Sequence, residues 1–156
     1  MKNWLRRRLV DPLLALLRQG VSPDRLALCV AIGAVIGNIP ILGVSSIVCA
    51  LVALLFRLNL PAIQIVQAAM APTQVLLIIP FVRAGEWLMG APRQAVSIAA
   101  GLDLMRQGVW HAVTELRHAI VHAGFAWLLV APFAVLLIYR LLIPVFTRAA
   151  ALGASS

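Results

Sequence analysis

Two long apolar stretches of the chain, residues 26–56 and 58–82, carry no charged side chain, and each is interrupted near its middle by proline. The first interruption covers residues 38–43 and includes Pro40, and the second lies at Pro72. Proline lacks a backbone N–H and clashes with the preceding turn, so a helix must bend or stop there. In a bilayer, broken backbone is tolerated where it is buried in protein or lines a cavity. The sequence therefore predicts a membrane protein and indicates where its site lies.

The low content of charged residues supports this class. Only 12% of the 156 residues are charged, against about a quarter in a soluble domain. We expect an all-α integral membrane protein with proline-broken or re-entrant helices, amphipathic interfacial helices and one plain C-terminal transmembrane helix. The chain is predicted to form one membrane domain, 1–156. Its parts are a basic amphipathic segment (1–20), a broken-helix core (22–90), an amphipathic histidine-containing helix (92–123) and a transmembrane helix (124–146).

The excess of basic residues predicts the orientation in the membrane. The formal net charge is +8, and the arginines cluster before residue 25 and between residues 83 and 117. Loops rich in Lys and Arg stay on the cytoplasmic side, so we expect a cytoplasmic N-terminus and an external C-terminus. The arginines flank apolar stretches and form no patch interleaved with aromatic residues, which argues against nucleic acid as a partner.

The first stretch is too long for one straight span of about 20 residues and too short for two. One solution is a re-entrant hairpin of helices 26–37 and 42–56, and the other is a single tilted span broken at residues 38–43. The hairpin places Cys29 and Cys49 level on adjacent helices, whereas a continuous helix separates them by about 30 Å. The second stretch fits one kinked span or a second shallow hairpin.

Neutral polar residues and flanking arginines are the candidate ligand-binding groups. Half-helix ends carry partial charges that bind polar ligands, and arginine binds phosphate through paired hydrogen bonds. The competing interpretation is local: Asn38 caps a helix, the serines and glutamines bond within or between helices, and the arginines are interfacial anchors. The candidate ligand-binding residues are Asn38, Pro40, Gly43, Ser45, Gln67, Pro72, Thr73, Arg57 and Arg83.

Three histidines and one glutamate follow a helical spacing in the less apolar segment after residue 92. His111, Glu115, His118 and His122 would form one stripe of a single helix that ends at Gly124. Neighbours such as Glu115, His118 and His122 are the groups that one metal ion could contact. The polar face of an interfacial helix is the favoured interpretation, because a straight stripe seldom lets ligands converge. We expect no cofactor.

Small and apolar residues recur in a fixed order over residues 20–90. They are Gly20-Val21-Ser22-Pro23, Leu26-Ala27-Leu28, Ala31-Ile32-Gly33, Ile36-Gly37, Pro40, Gly43 and Arg57-Leu58-Asn59-Leu60-Pro61. Their order and spacing resemble a small bacterial inner-membrane family catalogued as a domain of unknown function (number two thousand and sixty-two). The family typically has Asn-Pro near the second break, where this chain has Ala71-Pro72. The resemblance implies an integral protein of the bacterial inner membrane, in some members joined to glycosyltransferase-like domains.

These features predict a binding protein rather than an enzyme. There is no Ser–His–acid arrangement, glycine-rich phosphate loop or pair of intramembrane carboxylates. The leading hypothesis is a small carrier or flippase-like protein that binds a phosphate-bearing lipid or a small polar solute at the broken helices. Membrane lipids are the expected partners, and the chain is small enough that a homo-oligomer is expected. The alternative is a non-catalytic membrane anchor or regulatory partner of a glycosyltransferase or envelope-assembly enzyme.

Overall fold

The computed structural model describes residues 11, 15, 20–41, 44–93 and 97–154, and within these ranges it contains helices and turns but no strand. Most of the predicted segment 1–20 lies outside the described residues, as does Gly43. The all-helical prediction is confirmed for the part of the chain that is described. The helices are α1 (Pro23–Ile36), α2 (Ser45–Leu55), α3 (Leu60–Ala69), α4 (Ala71–Met89), α5 (Ile98–Gln107), α6 (Val109–Glu115) and α7 (Arg117–Ala154).

Helices α1 and α3 begin where the local sequence supplies a capping side chain. Ser22 and Asn59 cap α1 and α3 by accepting hydrogen bonds from Arg25 N and Ala62 N, and each helix has proline in its first turn. Both prolines are therefore at positions whose N–H groups need no helical partner. The apolar faces of α1, α2 and α3 meet in a core that includes Leu26, Cys29, Cys49 and Ile63.

Helices α1 and α2 form a hairpin. Arg57 and Leu58, which follow α2, line the same concavity as residues 20–22 at the start of α1. The chain has therefore returned along the length of α1, and a single broken span, which would carry Arg57 far from Ser22, is excluded. The buried cysteines Cys29 and Cys49 belong to one core cluster, as the hairpin alternative requires.

The second apolar stretch bends at Met70. Helix α3 ends at Ala69, α4 begins at Ala71, and their axes differ by 65°. The predicted break is thus present, but Pro72 lies two residues past it, in the first turn of α4, where proline fits without distortion. Pro80 is the proline that lies inside α4.

Helices α4 and α7 cross at Gly85. A Cβ built on Gly85 would overlap the backbone carbonyl of His122, so only glycine permits this approach. Val82, Ala119 and Ala123 form a second small core beside the crossing. Further along α7, Trp127 Nε1 donates to Val35 O at 3.1 Å, which links α7 to the end of α1.

The predicted single helix over residues 92–123 is wrong. Gly108, with a φ of 143°, separates α5 from α6, and a turn at Leu116 separates α6 from α7. The predicted end at Gly124 is also wrong, because α7 continues through Gly124 to Ala154. Within the part of the chain that the structure describes, one helix, Arg117–Leu152, is long and apolar enough to cross a membrane, and the bent pair α3–α4 counts as a second if it forms one span.

Candidate functional site

A buried glutamine on α4 holds the first helix break. Gln74 is 5% exposed, and its Nε2 donates to Ile39 O at 2.6 Å and, at 3.5 Å, to Ile41 O. These carbonyls have left the helical hydrogen-bond pattern, and a buried carbonyl without a donor costs free energy. The site is therefore built from α4 and the loop between α1 and α2, with Pro40 buried inside it.

Asn38 has one satisfied and one unsatisfied polar atom. Its Nδ2 donates to Ala34 O at 2.7 Å, so the predicted local role at the end of α1 is confirmed. Its Oδ1 is buried and has no hydrogen-bond partner in the described part of the chain. Because nearly all buried polar atoms are paired, this oxygen marks a position where a water molecule or a ligand can donate.

A network of hydroxyl and amide groups joins α2 to α3 next to the break. Gln67 Nε2 donates to Ser45 Oγ at 3.0 Å, and Ser46 Oγ donates to Gln67 Oε1 at 3.3 Å. Gln64 Nε2 donates to Ser46 O at 3.2 Å. The structure thus brings together the predicted residues Ser45 and Gln67, and it uses their polar atoms to hold one helix against another.

Two of the predicted site residues, Arg57 and Arg83, lie away from this region, and two others, Pro72 and Thr73, precede Gln74 but have exposed side chains. Arg57, in the turn between α2 and α3 with a φ of 50°, is at the other end of α1, about 21 Å away at 1.5 Å per residue. There it lines an open polar concavity with Arg25. Pro72 and Thr73 are exposed on the first turn of α4. Arg83 Nη1 binds Glu86 Oε2 at 2.8 Å on α4, as the spacing of three residues predicts.

An aliphatic cavity of about 110 Å³ adjoins the break. Pro40 and Ile41 form one side of it, and the remaining walls come from α4, α5, α6 and the start of α7. Among the residues described, the lining contains no charged and no aromatic residue, and its hydroxyl group, on Ser97, already accepts a hydrogen bond from Ala100 N. The polar break and this cavity are therefore contiguous through Pro40 and Ile41.

The structure does not bring the predicted metal ligands close together. Glu115 ends α6 and is exposed, His118 is exposed on α7, and His122 is 9% exposed beside the α4–α7 crossing. Among the residues described, no three His, Cys, Asp or Glu side chains form a group that could hold a metal ion. The turn at Leu116 breaks the helical register on which the predicted stripe depended. His122 Nδ1 is buried, and no described residue pairs with it.

The sequence profile of one family matches residues 6–152, nearly the whole chain. That family is described as an uncharacterized protein conserved in bacteria, DUF2062. The chain belongs to this family. The resemblance noted from residues 20–90 is therefore confirmed over a longer region. No curated protein and no solved structure matches this DUF2062 chain significantly.

Two buried polar residues of this DUF2062 protein were not predicted as part of a site. Gln74 was one of several neutral polar residues in the second stretch, and its partners lie 35 and 33 residues away. Glu86, 2% exposed, is buried in the apolar surroundings of α4 and pairs with Arg83. The available signal was that polar side chains inside an apolar stretch need partners, but the sequence does not say which.

Proposed function

We propose that this protein is an integral protein of the bacterial inner membrane that binds an amphiphile, in the first instance a phosphate-bearing lipid, at the first helix break and acts as its carrier. The observation that supports this most directly is the contiguity of two surfaces of opposite character. Asn38 Oδ1 is a buried acceptor with no partner among the described residues, and two residues later Pro40 begins the wall of the aliphatic cavity. A molecule with a hydrocarbon part and a polar part that donates a hydrogen bond, such as the hydroxyl or ammonium group of a phospholipid headgroup, matches this arrangement.

The outer surface supports a location in the bilayer. Helix α7 keeps large apolar side chains exposed along its length, including Leu128 at 63% and Phe133 at 74%. Only 6% of the most hydrophobic 18-residue part of this helix is buried inside the molecule. Helix α2 likewise exposes Leu54 at 75% and Leu55 at 77%. Contiguous apolar surface of this extent is characteristic of contact with a membrane or a partner.

In this proposal the hairpin of α1 and α2 is re-entrant. Each helix, at 14 and 11 residues, is too short to cross a hydrocarbon core of about 30 Å. The break between α1 and α2 then lies at membrane depth, where its backbone carbonyls must bind protein donors. Gln74 supplies such a donor. In this proposal the bent pair α3–α4 is a second shallow hairpin that returns the chain to the cytoplasmic side, and α7 is the span that follows.

The test is mass spectrometry of the molecules that co-purify with the protein from its native membrane in mild detergent. The test variant is Asn38→Ala, and the matched control is Asn59→Ala. Each removes an asparagine at a helix end, at a typical cost of about 1 kcal/mol for a lost cap, but Asn59 lies far from the break. We expect one enriched lipid or solute in the wild type and the control, and a loss of about tenfold or more in Asn38→Ala.

Two results would overturn this proposal. One is bulk phospholipid in membrane proportions for all three proteins, together with a stoichiometric protein partner, which is the result expected of a membrane anchor or regulator. The other is an enriched ligand retained equally by both variants. If a ligand is found, its exchange between vesicle leaflets in reconstituted protein then tests the carrier role.

A further inference from the structure

We infer that the aliphatic cavity binds an acyl chain of a membrane phospholipid, held between α4 and the amphipathic pair α5–α6. This inference rests on the proposed function and specifies how the hydrocarbon part of the ligand is bound. It assigns a ligand contact to residues 97–123, for which the sequence suggested only an interfacial helix.

The side chains that line the cavity favour a flexible hydrocarbon chain as the ligand. They are branched or straight aliphatic groups such as Val75, Ile78, Ile79, Leu102 and Met105. Water needs about two to four polar partners to occupy a buried site, and Ser97, the one polar side chain in the described part of the lining, already caps α5. The described lining residues include no charged or aromatic group and so offer no specific contact to an ionic or planar ligand.

Helices α5 and α6 together form a cover over the cavity, and their packing leaves room for such a ligand. Helix α5 packs mainly against α6, and α6 packs against α7, so the apolar side of α5 faces α4 across the cavity. Atoms that border an empty space lose dispersion contacts on that side. A hydrocarbon chain in the cavity restores these contacts and joins the cover to α4.

The location of the cavity specifies the source of the chain. It lies between α4, which belongs to the bent apolar pair α3–α4, and α7, the long candidate span, so its walls reach into the bilayer under the proposed topology. The side of the cover away from the cavity carries the exposed pair Asp103–Arg106 and Trp110, which is 81% exposed. Tryptophan at this exposure suits the headgroup level of a membrane. A phospholipid therefore has its polar part near the cover and a chain within reach of the cavity.

Two glycines can be replaced by the same larger residue, one inside the cavity and one outside it. Comparing the two variants distinguishes the effect of filling the cavity from the effect of adding a leucine to a helix. A Cβ at Gly101 or at Gly124 meets no atom within 4 Å, both residues lie inside helices, and neither has a positive φ. Gly101 lines the cavity, and Gly124 does not. Gly101→Leu therefore places an isobutyl group in the cavity without a backbone clash, whereas Gly124→Leu adds the same group elsewhere.

The experiment uses the full chain in nanodiscs of phosphatidylglycerol and phosphatidylethanolamine that contain a trace of phospholipid with a diazirine near the end of one acyl chain. After photolysis, peptide mass spectrometry locates the labelled residues. We expect labels in residues 75–82 and 101–123 of the wild type and of Gly124→Leu. In Gly101→Leu we expect labelling of these peptides to fall about tenfold, while labelling of the outer face of α7 stays unchanged.

Equal labelling of the cavity peptides in the two glycine variants would overturn the inference, as would labels confined to the outer faces of α2 and α7. Either result leaves the proposed function standing if the co-purified ligand is still lost in Asn38→Ala. Conversely, cavity labelling that Gly101→Leu abolishes, with no ligand dependent on Asn38, would support the acyl-chain site and contradict binding at the break.

Discussion

Gln74 shows how one side chain determines whether the helix break is stable. Its amide group reaches across a sequence separation of 35 residues to Ile39 O, and it is almost completely buried. A carbonyl that has left a helix and lost water requires a donor, and the described residues around the break provide this one. Asn38, in contrast, contributes a donor to its own helix and leaves its acceptor available.

We predict that Gln74→Leu lowers the free energy of unfolding by about 1–3 kcal/mol, because it leaves the buried carbonyl of Ile39 without its donor. The measurement is denaturant or thermal unfolding of the protein in mild detergent. Gln64→Leu is the control: its hydrogen bond to Ser46 O is exposed, and a loss of about 0.5 kcal/mol or less is expected. Equal destabilisation by the two substitutions would show that Gln74 has no special role.

At the scale of the helices, the close crossing of α4 and α7 determines where the rest of α7 lies. Gly85 lies against the backbone of His122, so the start of α7 is held at a fixed height on α4. From this crossing, α7 extends to Trp127, which binds Val35 O at the end of α1. Helix α7 therefore connects the α4 crossing to the three-helix core of α1, α2 and α3.

We predict opposite effects for alanine at two helical glycines. Gly85→Ala should destabilise the protein by about 1–3 kcal/mol or more, because the added methyl group overlaps a backbone carbonyl that cannot rotate away. Gly101→Ala should raise the stability by about 0.5–1 kcal/mol, since its Cβ meets open space and alanine favours a helix. The melting temperatures of both variants test this, and a neutral Gly85→Ala would show that the helices do not cross so closely.

At the scale of the whole molecule, the length of α7 can be compared with the thickness of a membrane. Its 38 residues extend over about 57 Å at 1.5 Å per residue, well beyond a hydrocarbon core of about 30 Å. Both ends of the helix therefore reach water if it crosses the bilayer. If it does, the basic residues before it lead us to expect its start on the cytoplasmic side by the positive-inside rule.

We predict that a membrane-impermeant maleimide labels Ala151→Cys in intact cells with permeable outer membranes and labels Ala99→Cys only after lysis. Both positions are exposed. The native Cys29 and Cys49 are completely buried, so the unsubstituted protein should stay unlabelled until it is denatured. Labelling of both positions in intact cells, or of neither, would contradict a crossing by α7, and labelling of Ala99→Cys alone would reverse the orientation.

The sequence by itself determined the helical class, the two breaks to within a few residues, the caps at Ser22 and Asn59 and the candidate span within α7. These are local properties, because proline chemistry, capping and apolar length act over a few neighbouring residues. The turn at Leu116 carries no proline and was missed, and the predicted helix end at Gly124 was wrong because glycine inside a long helix is tolerated.

Only the tertiary structure decided between the hairpin and the broken span, which depends on where Arg57 lies relative to Ser22. The structure likewise paired Gln74 with Ile39, separated Arg57 from Asn38 and created the cavity between α4 and the α5–α6 pair. These features join residues that lie far apart in the chain, and several helices contribute to each of them. No local pattern specifies such partners, because which apolar faces meet depends on the free energy of packing all the helices together.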